Sequence, residues 1–132
     1  MTDMLKTGTQ WLADQLMTHA AELVEYWRSG CEPMPLKAST GRTLFKVEED
    51  GVQKVVWTDK DFIFRAADLA LAGIDEPLHG DRIREVTTLR NRMIVRFYLV
   101  AAPGGEQPYR NADGRDVITR VHTKLISEEP VV

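Results

Sequence analysis

The sequence predicts a mainly β protein: a small antiparallel β-barrel or sandwich with one N-terminal amphipathic α-helix. Three observations carry that prediction. From residue 36 to residue 127 the chain runs through short segments rich in Val, Ile, Phe and Thr. Turn signals separate them, among them Asp50-Gly51, Asp59-Lys60, Gly80-Asp81 and Pro103-Gly104-Gly105. Only one stretch, before all of these, has the spacing of a long helix. A helix followed by strands favours a closed or layered antiparallel fold over an alternating α/β one. At 132 residues the expectation is one domain, long enough to bury a real core.

The helix is predicted over residues 7–29. Leu12, Leu16, Ala20, Leu23, Val24 and Trp27 recur at three- and four-residue spacing and form one stripe. Thr7 or Thr9 can cap its start, and Gly30 can end it in a left-handed conformation. Trp11 and Tyr26 fall off the centre of the stripe, which suits them either to pack under loops or to dock on a neighbouring subunit.

Residues 30–35, with Pro33 and Pro35, read as a linker, because proline removes backbone donors. The β region then spans 36–127. Leu36 and Ala38 begin one strand, and Thr43 to Val47 make a second or continue it past Gly41. Asp50-Gly51 is a hairpin signal, since both centre positions of a type I′ turn need positive φ. It joins Leu44-Phe45-Lys46-Val47 to Val55-Val56-Trp57-Thr58, and Phe62-Ile63-Phe64-Arg65-Ala66 make the next strand. Ala67 to Ala72 is Ala/Leu-rich but too short for an unaided helix, so it reads as a turn or a strand tail. Arg82 to Thr88 and Arg92 to Val100 pair through a turn near Arg90-Asn91. Val117 to Ile126 is the last strand, and residues 128–132 are expected to be a loose tail.

Charge excludes some functions. The net charge is −3, which argues against a general nucleic-acid binder. Residues 81–124 nevertheless carry +4 and the remainder −7, a bipolarity suited to head-to-tail contacts. No apolar run reaches the ~18–20 residues that cross a bilayer. The start Met1-Thr2-Asp3-Met4 has no basic region of a secretory signal. The single cysteine, Cys31, cannot form an internal disulfide and suits a reducing compartment.

The search for chemistry returns no catalytic residue, no cofactor and no metal site, so no enzyme is expected. His19, His79 and His122 share no metal-ligand spacing with one another or with Cys31. No Gly-x-Ser-x-Gly elbow or phosphate-binding loop is present. Asp61 and Asp81 each precede a strand, where a carboxylate accepts backbone N–H bonds and fixes a turn. Glu48, Glu49 and Asp50 form an acidic hairpin tip: a solvated tip by default, and in a ring an acidic collar. Arg120, His122 and Lys124 share one strand face: a solvated face by default, and alternatively a basic stripe for an acidic partner or DNA.

Several segments together resemble the small β-barrel proteins that tailed bacteriophages place between the DNA-filled head and the tail. They are Pro77-Leu78-His79-Gly80-Asp81-Arg82-Ile83, the alternating run Met93 to Val100, the turn at Pro103-Gly104-Gly105 and the strand Ile118 to Lys124. His19 to Arg28 and Asp61-Phe62-Ile63-Phe64 extend the likeness backwards. The resemblance implies a head–tail joining or head-completion protein, a stopper-like connector of the neck. It implies a ring of copies that contacts portal, adaptor and tail proteins, retains DNA without reading its sequence, and assembles in the bacterial cytoplasm. The contact candidates are Trp11, Tyr26, Trp27, Glu48, Glu49, Asp50, Arg120 and Lys124. Two other classes stand beside it. One is a nucleic-acid-binding small barrel, supported by the +4 segment and its aromatics Phe97, Tyr98 and Tyr109. The other is a small enzyme built around a barrel cavity, for which the sequence offers no acid–base pair.

Overall fold

In the computed structural model, which describes residues 22–111 and 117–130, six antiparallel strands close into a barrel. The strands are β1 (Glu22–Trp27), β2 (Met34–Gly41), β3 (Leu44–Glu49), β4 (Val52–Trp57), β5 (Lys60–Arg65), β6 (Arg82–Leu89), β7 (Arg92–Val100), β8 (Tyr109–Asn111) and β9 (Ile118–Pro130). Around the barrel the order is β5-β2-β1-β6-β7-β9, and a β5–β9 ladder closes it. β8 pairs with β9 above the end of β7. β3 and β4 form a separate two-stranded hairpin, inserted between β2 and β5.

Alternation builds the core. On each barrel strand every second residue points inward. Val24 and Tyr26 do so from β1, Leu36 and Ala38 from β2, and Phe62 and Phe64 from β5, all of them buried. Ile83, Tyr98, Val100 and Val121 complete the filling from β6, β7 and β9. Aromatic edges meet faces inside, Tyr26 on Phe64 and Phe62 on Tyr98.

The helix prediction fails where it can be tested. Glu22–Trp27 is a strand, and residues 7–21 of the predicted helix lie outside the described residues. Val24 and Trp27 fit a helical stripe, but Val24 and Tyr26 also fit an alternation against Leu23, Glu25 and Trp27. The second period wins because β1 bridges β2 and β6, and closure satisfies its backbone on both sides. Gly30 does take a positive φ, yet in the β1–β2 turn and not as a helix cap.

Among the described residues the one α-helix is instead α1 (Ala66–Leu71). It ends in a Schellman motif: Gly73 has φ +78, Gly73 N–H donates to Ala70 and Ile74 N–H donates to Leu69. Leu69 and Ile74 both enter the core, so burial supports a helix too short to form alone. Within the expected tail, residues 128–130 instead continue β9 to Pro130, paired with Ile94, and residues 131–132 lie outside the described residues. Ile126 is the extra residue of a bulge, because Phe97 pairs with Ser127 and Tyr98 with Leu125.

Candidate assembly interface

The β3–β4 hairpin is an arm laid against the outside of the barrel. Asp50 and Gly51 take φ of 53° and 76°, as a two-residue hairpin turn requires. Pairing of Leu44 with Trp57, Phe45 with Val56 and Lys46 with Val55 gives the arm two faces. Phe45 and Val56 face the barrel. Phe45 sets its edge on the His122 ring at 4.9 Å, and Arg110 covers Phe45 from the other side. Leu44, Val55 and Trp57 face away, with 44%, 60% and 52% of their surfaces exposed.

A buried polar cluster holds the arm's root. Asp61 and His122 sit on the outer faces of β5 and β9, directly paired, and both are sealed from solvent. His122 Nδ1 lies 3.0 Å from Asp61 Oδ1, and Arg120 Nη1 donates to Asp61 Oδ2 at 3.0 Å. Thr43, at the arm's root, donates its hydroxyl to the same Oδ2. Thr43 N–H donates to the Thr58 hydroxyl, which ties the arm's entry to its exit. Burial pushes the Asp61 carboxyl up, but hydrogen bonds from His122, Thr43 and Thr58 outweigh it and hold the group below the usual carboxylate range. Both side chains are buried at the arm's root, where the pair clamps the arm to the barrel wall.

Two more charged clusters close the ends of the barrel. At one, Asp81 accepts from the Tyr26 hydroxyl at 2.5 Å, from Arg28 Nη2 at 2.8 Å and from Leu78 N–H at 3.0 Å. These donors overcome burial and lower the Asp81 carboxyl, while burial and Asp81 push the Tyr26 phenol far up. At the other, Lys60 Nζ bridges both oxygens of buried Glu85, at 2.9 and 3.0 Å, between the rings of Phe62 and Tyr98. Burial and then the Glu85 charge raise the carboxyl of Glu22 beside it.

The contact candidates fall in different places. Trp11 lies outside the described residues. Tyr26 is buried in the core, so its ring offers no surface for docking. Trp27 is exposed on the outer face of β1 and rests its edge on Phe97. Glu48, Glu49 and Asp50 are exposed at the arm's tip, where Glu49 meets Lys54. Arg120 is spent on Asp61, and Lys124 is exposed. The basic stripe is therefore broken in the middle, because His122 lies under the arm. Asp81 accepts the expected backbone N–H, whereas Asp61 accepts side-chain donors. Sequence reasoning missed Leu44, Val55 and Trp57. Their signal was present: a hairpin whose strands carry apolar residues on both faces leaves one face uncovered.

Among the described residues no His, Cys, Asp and Glu side chains are grouped to hold a metal ion, and no helix is long and apolar enough to cross a membrane. No curated protein matches the chain. The described residues thus make a closed barrel that carries a clamped arm with an exposed apolar face. The family model described as phage head-tail joining protein matches residues 2–130, nearly the whole chain, and the chain belongs to that family, with a structural role at the head–tail junction of the phage virion.

Proposed function

We propose that copies of this chain close into a ring below the portal, keep packaged DNA in the head and dock the tail. The chain acts as one domain, by contact and not by catalysis, and joins the particle in the host cytoplasm. The observation that carries this reading is the arm. The six barrel strands have no free edge to offer, which leaves assembly to side-chain surfaces and to the edges of β3, β4 and β8. The arm supplies a side-chain surface, with Leu44 and Val55 exposed, Trp57 half-exposed under the Arg42 guanidinium, and a rigid root beneath them. Portal, adaptor and tail proteins are the partners. DNA passes through the ring without sequence recognition, and Glu48, Glu49 and Asp50 repel its phosphates if they face the channel.

The test is a completion assay on DNA-filled heads made without this protein. Addition of the purified chain is expected to make the packaged DNA resistant to nuclease and the heads competent for tails. Heads that retain DNA and join tails equally well without it contradict the reading.

A further inference from the structure

Two exposed apolar surfaces among the described residues have an address on the barrel. The arm covers the β5 and β9 wall, as the Phe45–His122 and Thr43–Asp61 contacts fix. In the order β5-β2-β1-β6-β7-β9, the strands opposite β5 and β9 are β6 and β1. The outer face of that opposite wall exposes a second set of apolar side chains, Leu23 and Trp27 on β1, Val86 on β6 and Met93 on β7, around the Glu25–Arg84 ion pair. The arm's outer face and this wall therefore look in opposite directions from one barrel. Their charges are also opposed. The arm's tip carries Glu48, Glu49 and Asp50, with Lys54 engaging only Glu49. The hairpin joining β6 to β7 carries Arg90 and Arg92, both exposed and without an ion pair among the described residues. Two different, mutually complementary surfaces on opposite sides of one molecule fit a heterologous contact, which repeats from copy to copy and closes if the rotation allows.

We propose that the outer face of the arm of one copy seats on the β1–β6–β7 wall of the next. Trp57, Val55 and Leu44 cover Leu23 and Val86, and Glu48 and Asp50 face Arg90 and Arg92. This contact rests on the ring reading and names the surfaces that would make the ring.

Trp57→Glu disables the arm and Val86→Glu disables the wall, each at an exposed position that the fold tolerates. Circular dichroism and thermal melts of both variants are expected to match the wild type. By native mass spectrometry or sedimentation, the wild type is expected to form multi-copy species and each variant to stay monomeric. A mixture of the two variants is expected to give one-to-one dimers and nothing larger, because one intact arm meets one intact wall and the chain of contacts stops there. In a second arm of the test, reversing Glu48 and Asp50 to Lys, or Arg90 and Arg92 to Glu, weakens association about tenfold or more, and both reversals together restore most of it. Wild-type assembly that survives both Glu substitutions, or a variant mixture that stays monomeric, overturns the contact while leaving the ring reading standing. A wild type that stays monomeric at every concentration and on portal rings overturns both.

Discussion

Asp61 and His122 face each other across the β5–β9 ladder, Oδ1 3.0 Å from Nδ1, with no solvent access to either. They belong to neighbouring strands of the barrel wall, yet the third partner, Thr43, belongs to the arm. The pair thus converts a strand-pairing register into a mounting point for the arm.

Asp61→Asn is expected to destabilise the fold by about 3 kcal/mol at neutral pH, since it removes the charge that organises the donors of His122, Arg120, Thr43 and Thr58. The sign of the pH dependence follows from the carboxyl's direction. Its folded-state pKa lies below its ordinary value of about 3.9, so its contribution is full above about pH 5 and is lost as pH falls through the folded value. Denaturant melts at pH 7 and pH 3 should show the gap between wild type and variant shrinking in acid. A gap that widens in acid contradicts the assignment.

Thr43→Val is expected to loosen the arm and leave the barrel intact. It deletes one hydrogen bond to a buried carboxylate, worth about 1–3 kcal/mol. Amide exchange should rise across β3 and β4 and hold steady in β5 and β9. Equal acceleration everywhere would mean that the arm and barrel open as one unit.

Tyr26 separates a core role from a docking role. Tyr26→Phe keeps the ring and removes one of the donors to Asp81, at a cost of about 1–2 kcal/mol. Tyr26→Ala empties the core at a cost of about 3–5 kcal/mol. Chemical denaturation measures both. A Tyr26→Ala variant that keeps full stability but fails to assemble would restore the docking role.

Lys60 and Glu85 are expected to couple strongly. Lys60→Met strands a buried carboxylate and costs about 3–5 kcal/mol, while Lys60→Met with Glu85→Met costs far less. A double-mutant cycle reads the coupling directly, and additive single effects contradict it.

The β6–β7 turn offers a stabilising change. Arg90 and Asn91 take φ of 51° and 64°, a conformation that glycine adopts at no steric cost. Asn91→Gly should raise stability by up to about 1 kcal/mol without touching Arg90 or Arg92. A lower melting temperature would show that the Asn91 side chain contributes to the turn.

Much of the barrel was legible because its signals are local. Asp50-Gly51 marks a turn by conformation alone, and Phe62-Ile63-Phe64 marks a strand buried on both faces, with the core on one side and the arm's shelter on the other. What failed were segments whose periodicity fits two answers. Val24 and Trp27 satisfy a helical stripe as well as they satisfy one strand, and only the vacancy between β2 and β6 decides. α1 was missed for the converse reason, since its helix depends on Leu69 and Ile74 meeting a core assembled from distant strands.

The contact surfaces were half legible. The acidic tip of Glu48, Glu49 and Asp50 is exposed, as a charged hairpin turn must be. His122 could not be placed from its own strand, because nothing in β9 announces that Phe45 will cover it. Tyr26 looked like a surface aromatic only on a helix. On a strand the same residue alternates inward with Val24.

The most direct test of the account is the mass of the assembled particle, by light scattering on the protein alone and mixed with purified portal and adaptor rings. The account expects a discrete multi-copy ring, free or seated on those rings. A chain that stays monomeric and ignores them would contradict it.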